Sequence, residues 1–194
     1  MITAKANVQD MLKPYAPKEV KIYDQWTRMD RNESLFGVAP KVKEAIVKEL
    51  DFISRYPENT AWQLRTSLAN YYGVHEDQLL IGNGSYELIW LISSVCLDDQ
   101  SDCVVTEPSF IWYNIYGKLL GKYVNVVKYK DFQLDLIEVL AAITSKTKVV
   151  WLCNPNNPIG NYIDTATMRE FLAKVPKDIV VCIDEAYMEF MDNY

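Results

Sequence analysis

Several residue types and sequence patterns are scarce in this chain of 194 residues. It has a single histidine, His75, which leaves little for a zinc site or a histidine-based catalytic triad. The cysteines are scattered and form no C-x-x-C pair, so we expect buried free thiols in a reducing cytoplasm rather than disulfides or metal ligands. The cysteines are Cys96, Cys103, Cys153 and Cys182.

Net charge and the length of the apolar runs exclude further classes of protein. The chain has 20 basic and 26 acidic residues, a net charge of -6, and therefore no basic face for nucleic acid. Residues 88–97 form the longest nearly apolar run, which is too short to span a bilayer, and the first residues lack the apolar stretch of a signal peptide. We expect a cytoplasmic protein that binds neither nucleic acid nor membrane.

The order of the predicted elements suggests two regions. Residues 1–39 are polar and irregular and are interpreted as an N-terminal arm, and residues 40–194 as one partial domain. A helix is predicted from Pro40 and a second from Thr60 to Tyr72, ended by Gly73. Short β-rich runs then alternate with helical stretches. The predicted strands cover residues 78–81, 103–106, 123–127, 149–153 and 179–183.

Strands that are apolar on both faces and alternate with helices indicate an α/β fold with a mostly parallel, doubly wound sheet. Ligands of such sheets bind at the carboxyl ends of the strands. Four of the five predicted strands are followed by polar or Gly/Pro-rich clusters, and only the third leads into an ordinary charged stretch. We expect the four clusters to lie on one rim of the sheet and to form a site. The clusters are Gly82–Ser85, Glu107–Phe110, Asn154–Gly160 and Asp184–Tyr187.

The glycine cluster is a predicted strand-to-helix turn. Backbone amides at the start of the helix would suit an anion such as phosphate, although a tight turn capped by Ser85 is equally compatible with the sequence. Glu87 stands where a dinucleotide-binding motif has its third glycine, and no G-x-x-x-x-G-K-[ST] loop is present. The usual nucleotide-binding proteins are therefore excluded.

The remaining clusters suit a flat, positively charged ring. Asp184 closes an apolar strand, so its carboxylate would be largely desolvated unless it pairs with a cation such as a protonated pyridine. The alternative is an aspartate that simply caps a turn. Two prolines in Asn154–Gly160 fix the backbone, so the asparagine side chains can point at a ligand. Phe110 and Tyr113 could stack on a ring or simply pack in the core.

Together these clusters resemble those of fold type I aminotransferases, and their order along the chain matches throughout. Gly82–Glu87 is similar to the motif G-N-G-S-D-E, Asn154–Gly160 to N-P-N-N-P-T-G, and Asp184–Tyr187 to D-E-A-Y. The histidinol-phosphate aminotransferases are indicated by further matches to L-x-P-Y, N-E-N-P, R-Y-P-D and P-[ST]-[YF]. These matches are Leu12–Tyr15, Asn32-Glu33, Arg55–Pro57 and Pro108–Phe110.

The resemblance implies a pyridoxal 5′-phosphate cofactor and a role for each matching residue. Amides of Gly84, Ser85 and Tyr86 would hold the cofactor phosphate, and Phe110 would stack on the pyridine ring. Asn157 and Tyr187 would bind the ring hydroxyl oxygen, and Asp184 would pair with the ring nitrogen. Tyr56 would reach the phosphate of the neighbouring subunit of a homodimer. Tyr15 and Asn32 would lie near the substrate.

The sequence departs from the family pattern at three positions, and one expected residue is not found. Tyr86 replaces an Asp, Ser34 an Asn and Ile159 a Thr. The family's Schiff-base lysine follows D-E-A-Y on a later S-x-x-K, and no such lysine is found here, so no catalytic residue is assigned. The resemblance implies a large domain truncated before its last strands, without the C-terminal small domain. We expect little activity and poor folding from the chain alone.

Three functions follow from the resemblance. The first is a histidinol-phosphate transaminase of histidine biosynthesis, with glutamate and 2-oxoglutarate as the other pair of reactants. The second is a threonine-phosphate decarboxylase that uses the same cofactor, against which the Leu12–Tyr15 opening argues. The third is a non-catalytic remnant of the fold, which the intact residues around Asn157 and Asp184 disfavour.

Overall fold

A computed structural model describes residues 6–9, 29 and 31–192 of the chain. The described residues form two compact units, one drawn from residues 29 and 31–81 and the other from residues 6–9 and 82–192. The division expected from the sequence after residue 39 concerns functional regions and stays a prediction. Among the described residues, no helix combines the length and the apolar character needed to cross a membrane.

Helices and strands alternate through the second unit. The helices of the described chain are α1 (Ala6–Gln9), α2 (Pro40–Glu49), α3 (Trp62–Tyr72), α4 (Gly84–Cys96), α5 (Trp112–Leu119), α6 (Leu136–Ala141) and α7 (Thr165–Leu172). The strands are β1 (Asp102–Glu107), β2 (Tyr123–Lys128), β3 (Thr147–Cys153) and β4 (Val180–Asp184). Short 3-10 turns cover Leu50–Phe52, Glu76–Gln78 and Met188–Phe190.

The four strands form one parallel sheet in the order β2-β1-β3-β4. β1 and β3 lie in the centre and are almost entirely buried, because their largely apolar side chains, four of them valines, are covered on both faces. β3 pairs with β4 from Val149–Val180 to Cys153–Asp184. The parallel sheet predicted from the sequence is confirmed.

Side chains of the central strands alternate between two apolar cores. Cys103, Val105 and Trp151 belong to the core that contains Ile89 of α4 and Tyr113 of α5. The alternate strand residues Val104, Val150 and Leu152 belong to the opposite core. Val139 of α6 and Met168 and Phe171 of α7 cover that core. Helices on both faces make the sheet doubly wound, as predicted.

Local sequence signals explain where several helices begin and end. α2 has Pro40 at its first position, and α3 ends at Gly73, whose φ of 66° is a left-handed conformation that favours glycine. α6 and α7 begin after Asp135 and Asp164, whose carboxylates accept hydrogen bonds from first-turn amides. The predicted start of α2 and the predicted bounds of α3 agree with the structure to within two residues.

One predicted strand is wrong. Residues 78–81 do not join the sheet: a 3-10 turn occupies Glu76–Gln78, capped by His75, and irregular chain leads from Leu79 to the start of α4. Leu79 has extended backbone, with φ -113° and ψ 132°, but no strand in the described residues pairs with it. A β-rich segment becomes a strand only when a partner supplies the hydrogen bonds of a ladder.

The unit within residues 31–81 buries little apolar surface. α2 has no buried residue, and its apolar face is exposed, with Val42 at 49% and Ile46 at 55%. α3 buries only Ala69. The stripe of apolar side chains expected on α2 is therefore present but uncovered within this unit.

The four cysteines are free thiols, as expected. Cys103 and Cys153 are buried in the sheet, and Cys96 and Cys182 are half-buried. Burial, with a smaller contribution from Asp102, raises the pKa of Cys103 to about 12. This thiol is therefore an inert part of the core.

Leu152→Ala tests the assignment of the core. Leu152 is 0% exposed in the central strand β3, so truncation leaves a cavity that should lower the free energy of unfolding by about 2–5 kcal/mol. Urea unfolding followed by circular dichroism measures the change. Ile137→Ala on α6 is the control, because Ile137 is 73% exposed and its truncation should cost less than about 0.5 kcal/mol. Equal losses would contradict the assignment.

Candidate functional site

Asp184 lies at the carboxyl end of β4, where the register places it beside Cys153 of β3. Its backbone carbonyl accepts a hydrogen bond of 2.9 Å from the Asn154 amide, so the asparagine-rich segment begins next to it. The half-buried carboxylate has two protein donors. Oδ2 accepts a 2.7 Å hydrogen bond from the Tyr113 hydroxyl, and Oδ1 accepts one of 3.1 Å from the Ala186 amide.

Asn157 and Tyr187 come together beside this carboxylate-bearing strand end. The Asn157 side-chain amide lies 3.4 Å from the Tyr187 hydroxyl and donates to it. The Asn157 backbone amide lies 3.4 Å from Sγ of Cys153, the last residue of β3. Both polar side chains are half-buried, so they remain accessible to a ligand.

The other two asparagines of the segment serve the protein itself. Asn154 binds both backbone groups of Ile163, at 2.7 and 3.1 Å. Asn156 is 4% exposed, and its side-chain amide donates to Ser109 Oγ at 3.2 Å and to the Tyr129 hydroxyl at 2.9 Å. The expectation that the asparagines point at a ligand is therefore wrong for Asn154 and Asn156, because the side chain of each forms hydrogen bonds within the protein that hold the loop in place.

Phe110 and Tyr113 have different surroundings, although they are close in sequence. Phe110 is half-buried, and its ring meets that of Tyr113 edge to face with centroids 5.6 Å apart. Tyr113 is 1% exposed and stacks on Trp151, with the two rings 5.2 Å apart and 3° from parallel. Of the two, Phe110 retains surface that a ligand could cover.

The glycine cluster opens α4 without a side-chain cap. Gly84 has φ 73°, and its amide donates to the Gly82 carbonyl at 2.8 Å. Glu87 accepts the Asn83 backbone amide at 2.6 Å, and no side chain caps the helix, so the Ser85 cap considered from the sequence is not formed. The amides of Ser85 and Tyr86 lie in the first turn, where a helix offers no acceptor.

Contacts join all four clusters. The Tyr86 ring packs edge to face against Trp112, with centroids 4.6 Å apart, which links the start of α4 to the start of α5. α5 reaches Asp184 through Tyr113, and Asn156 binds Ser109 of the second cluster. When the neighbouring residues Tyr86, Trp112 and Tyr113 are included, the four clusters are connected, but only three of them follow strands of the sheet, because residues 78–81 form none.

Three of the residues assigned from the resemblance are not among the described residues of the unit that holds this rim. Tyr56 is fully exposed and Asn32 is exposed with φ 52°, and both belong to the other unit. Tyr15 lies outside the described residues. The functional assignments of these three residues remain predictions.

Sequence reasoning missed two supporting tyrosines. The Tyr113 hydroxyl was not expected to bind Asp184, and Tyr129 stood in a stretch interpreted as ordinary and charged. Tyr129 is half-buried and accepts the Asn156 amide, and burial raises its pKa. The signal that could have found Tyr129 is its place directly after β2, as the only aromatic residue among charged neighbours.

Burial and neighbouring acidic groups raise the pKa values of two residues at the rim. Burial raises the pKa of the Tyr113 phenol, and nearby Cys153 and Asp184 raise it further, so the hydroxyl keeps its proton and donates. Burial also raises the pKa of Glu185, with further contributions from Glu189 and Asp184. Within the described residues, no group of three or more His, Cys, Asp or Glu side chains could hold a metal ion.

This site lies on a doubly wound α/β sheet, and comparison with known proteins assigns the class. Residues 24–193 match the family model of the aminotransferases of class I and II, so the chain belongs to that family.

Among its curated relatives, the chain is similar to histidinol-phosphate aminotransferases. It is 38% identical over 186 residues to histidinol-phosphate aminotransferase 2 of Carboxydothermus hydrogenoformans, covering 92% of this chain and 51% of that protein. It is 40% identical over 169 residues to the histidinol-phosphate aminotransferase of Halalkalibacterium halodurans, covering 86% and 46% respectively. The chain thus spans about half the length of these relatives.

A solved structure agrees with these relatives. The histidinol-phosphate aminotransferase of Sinorhizobium meliloti, in complex with pyridoxal 5′-phosphate, superposes with a TM-score of 0.80 at 27% identity. The match covers 84% of this chain and 45% of that one.

Asn156→Ala tests the loop-fixing network. The change leaves the Tyr129 hydroxyl and the Ile159 amide, which donates to Asn156 Oδ1 at 3.2 Å, without this partner. We expect the free energy of unfolding to fall by about 1–3 kcal/mol in urea titrations. Asn161→Ala, which removes a single exposed hydrogen bond to the Phe132 carbonyl, is the control. A smaller loss for Asn156→Ala than for the control would refute the network.

Proposed function

We propose that this chain is the cofactor-binding part of a pyridoxal-phosphate-dependent histidinol-phosphate aminotransferase. The whole protein would move an amino group between glutamate and imidazole-acetol phosphate, a step of histidine biosynthesis in the cytoplasm. The named relatives at 38% and 40% identity support this reaction. They favour it over the threonine-phosphate decarboxylase, which would use the same cofactor.

The observation that carries the proposal is the environment of Asp184. Its carboxylate closes β4 at the rim and accepts two protein hydrogen bonds, from Tyr113 and Ala186. A carboxylate has about four acceptor positions, so capacity remains for a further, cationic donor. A protonated pyridine nitrogen is such a donor, and its positive charge offsets the desolvation of the half-buried carboxylate.

The neighbouring residues fit the other parts of the same cofactor. Asn157 and Tyr187 offer an amide and a hydroxyl beside β4 for the ring oxygen. The half-buried Phe110 offers a ring face for stacking. Amides of Ser85 and Tyr86 in the first turn of α4 offer donors and the positive end of a helix dipole for the phosphate.

Gly84 contributes to the same turn in a different way. Its amide donates to the Gly82 carbonyl, so its proposed part in holding the phosphate depends on its backbone shape. With φ at 73° and no atom within 4 Å of where a Cβ would stand, it leaves open space before the helix. A side chain there would occupy that space and strain the backbone.

The chemistry of the proposed reaction divides between cofactor and protein. When bound, pyridoxal phosphate provides an electron-accepting ring for the negative charge that develops on the substrate. With the cofactor bound, Asp184 would hold the proton on the ring nitrogen, Asn157 and Tyr187 would bind the ring oxygen, and Phe110 would cover one ring face. The chain's residues therefore orient the ring and keep it positively charged.

The resemblance also supports a homodimer and a substrate site shared between subunits. Tyr56 is fully exposed and would reach the cofactor phosphate of the second subunit. Asn32 and Tyr15 would contact the substrate. These assignments rest on the motifs Arg55–Pro57, Asn32-Glu33 and Leu12–Tyr15.

Asp184→Asn tests the proposal with a ligand that needs no covalent bond to the protein. Pyridoxamine 5′-phosphate is titrated into the chain, and the intrinsic fluorescence of the protein is followed. The variant loses the charge that holds the ring proton, so its dissociation constant should rise about tenfold to a hundredfold.

Asp178→Asn is the matched control, because Asp178 precedes β4 at its opposite end, is 74% exposed and pairs only loosely with Lys148 at 3.4 Å. The control should bind like the wild type. If the wild-type chain unfolds cooperatively in urea, and is therefore folded, but does not bind pyridoxamine phosphate at millimolar concentration, the proposed function is wrong.

A further inference from the structure

Tyr113 connects the apolar core to the proposed cofactor site. It lies in the first turn of α5, 71 residues before Asp184, and its hydroxyl donates to Oδ2 of that carboxylate at 2.7 Å. Its side chain is 1% exposed. A buried phenol has few alternative rotamers, so this hydrogen bond has a fixed direction.

Trp151 supplies the surface on which Tyr113 rests. The two rings are 5.2 Å apart and 3° from parallel, and Trp151 itself is 2% exposed in β3. The buried Trp151 Nε1 has no hydrogen-bond partner among the described residues. An orphaned buried N–H is destabilising, so the contribution of this side chain must come from its flat ring.

We propose that Tyr113, held by its stack on Trp151, is a positioning residue that fixes the Asp184 carboxylate in the orientation that receives the cofactor's ring nitrogen. This inference rests on the proposed function. Tyr113 is 1% exposed and its hydroxyl binds Asp184, so in this proposal it touches the carboxylate and not the cofactor.

The need for such a residue follows from the freedom of a carboxylate. The terminal torsion of an aspartate is broad, so one oxygen held by a backbone amide does not by itself orient the group. Ala186 holds Oδ1, and Tyr113 holds Oδ2 from a different element of the fold. Two donors from two rigid directions remove the rotation that a ligand would otherwise have to freeze on binding.

The test compares Tyr113→Phe with Tyr116→Phe in the full chain. Tyr113→Phe keeps the ring that stacks on Trp151 and removes only the hydroxyl. Tyr116 lies one turn further along α5, is 7% exposed and packs against Trp90, Trp112 and the ring of Tyr86. Because only the backbone amide of Tyr86 is proposed to bind the phosphate, Tyr116→Phe controls for the loss of a buried hydroxyl. Urea unfolding establishes that both variants fold.

Two readouts separate positioning from mere stability. The dissociation constant of pyridoxamine 5′-phosphate should rise about three- to tenfold in Tyr113→Phe and stay unchanged in Tyr116→Phe. The pyridine nitrogen of 15N-labelled ligand should lose its proton at a lower pH in Tyr113→Phe than in the wild type, with Asp184→Asn lower still. A midpoint in Tyr113→Phe equal to or above that of the wild type would overturn the inference.

The same data distinguish the failure of this inference from that of the proposed function. If the wild type does not bind pyridoxamine phosphate, the function itself fails. If the wild type binds and only Asp184→Asn weakens binding, Tyr113 has no positioning role.

A measurement on the wild type covers the case in which Tyr113→Phe does not fold. With tyrosines 13C-labelled at Cζ, the Tyr113 signal should shift when pyridoxamine phosphate binds, because its acceptor, Asp184, gains a positively charged partner. The Tyr116 signal should not move. A Tyr113 signal that is equally unchanged would overturn the inference.

Discussion

The parallel pairing of β3 with β4 is the constraint on which the site depends. Because the strands run in the same direction and end together at Cys153 and Asp184, the segments that follow them leave the sheet at the same edge. The Asn154 amide then binds the Asp184 carbonyl, which ties the two segments together. A shift of one residue in this register would turn Asp184 toward the opposite face of the sheet, away from Tyr113.

Hydrogen-bond satisfaction divides the polar residues at this edge into two groups. Asn156 is buried, so its amide must find partners within the protein, and it does so in Ser109 and Tyr129. Asn157 is half-buried with a longer contact of 3.4 Å to Tyr187 and retains capacity for a ligand. Because Asn156 and its partners hold the loop rigid, Asn157 is already in place before a ligand binds. This lowers the entropic cost of binding.

The sequence predicted those features of the fold that arise from local patterns. Apolar runs such as Val149–Cys153 identified the central strands, and the clusters that follow them identified the rim. Pairing partners are non-local, so the β-rich residues 78–81 were assigned to a strand that the structure does not form. The Tyr113 hydrogen bond escaped prediction for the same reason, since 71 residues separate it from Asp184 and no periodicity connects them.

The Tyr113–Trp151 stack illustrates how a site can draw on the core at the expense of stability. A leucine or valine at position 151 would suit the centre of a parallel sheet and leave no indole N–H unpaired. It would also offer no flat surface to a tyrosine ring, and the phenol could then move relative to Asp184. The stack therefore gives a geometric reason for an indole at this position, which agrees with the proposed positioning of the carboxylate at the sheet edge.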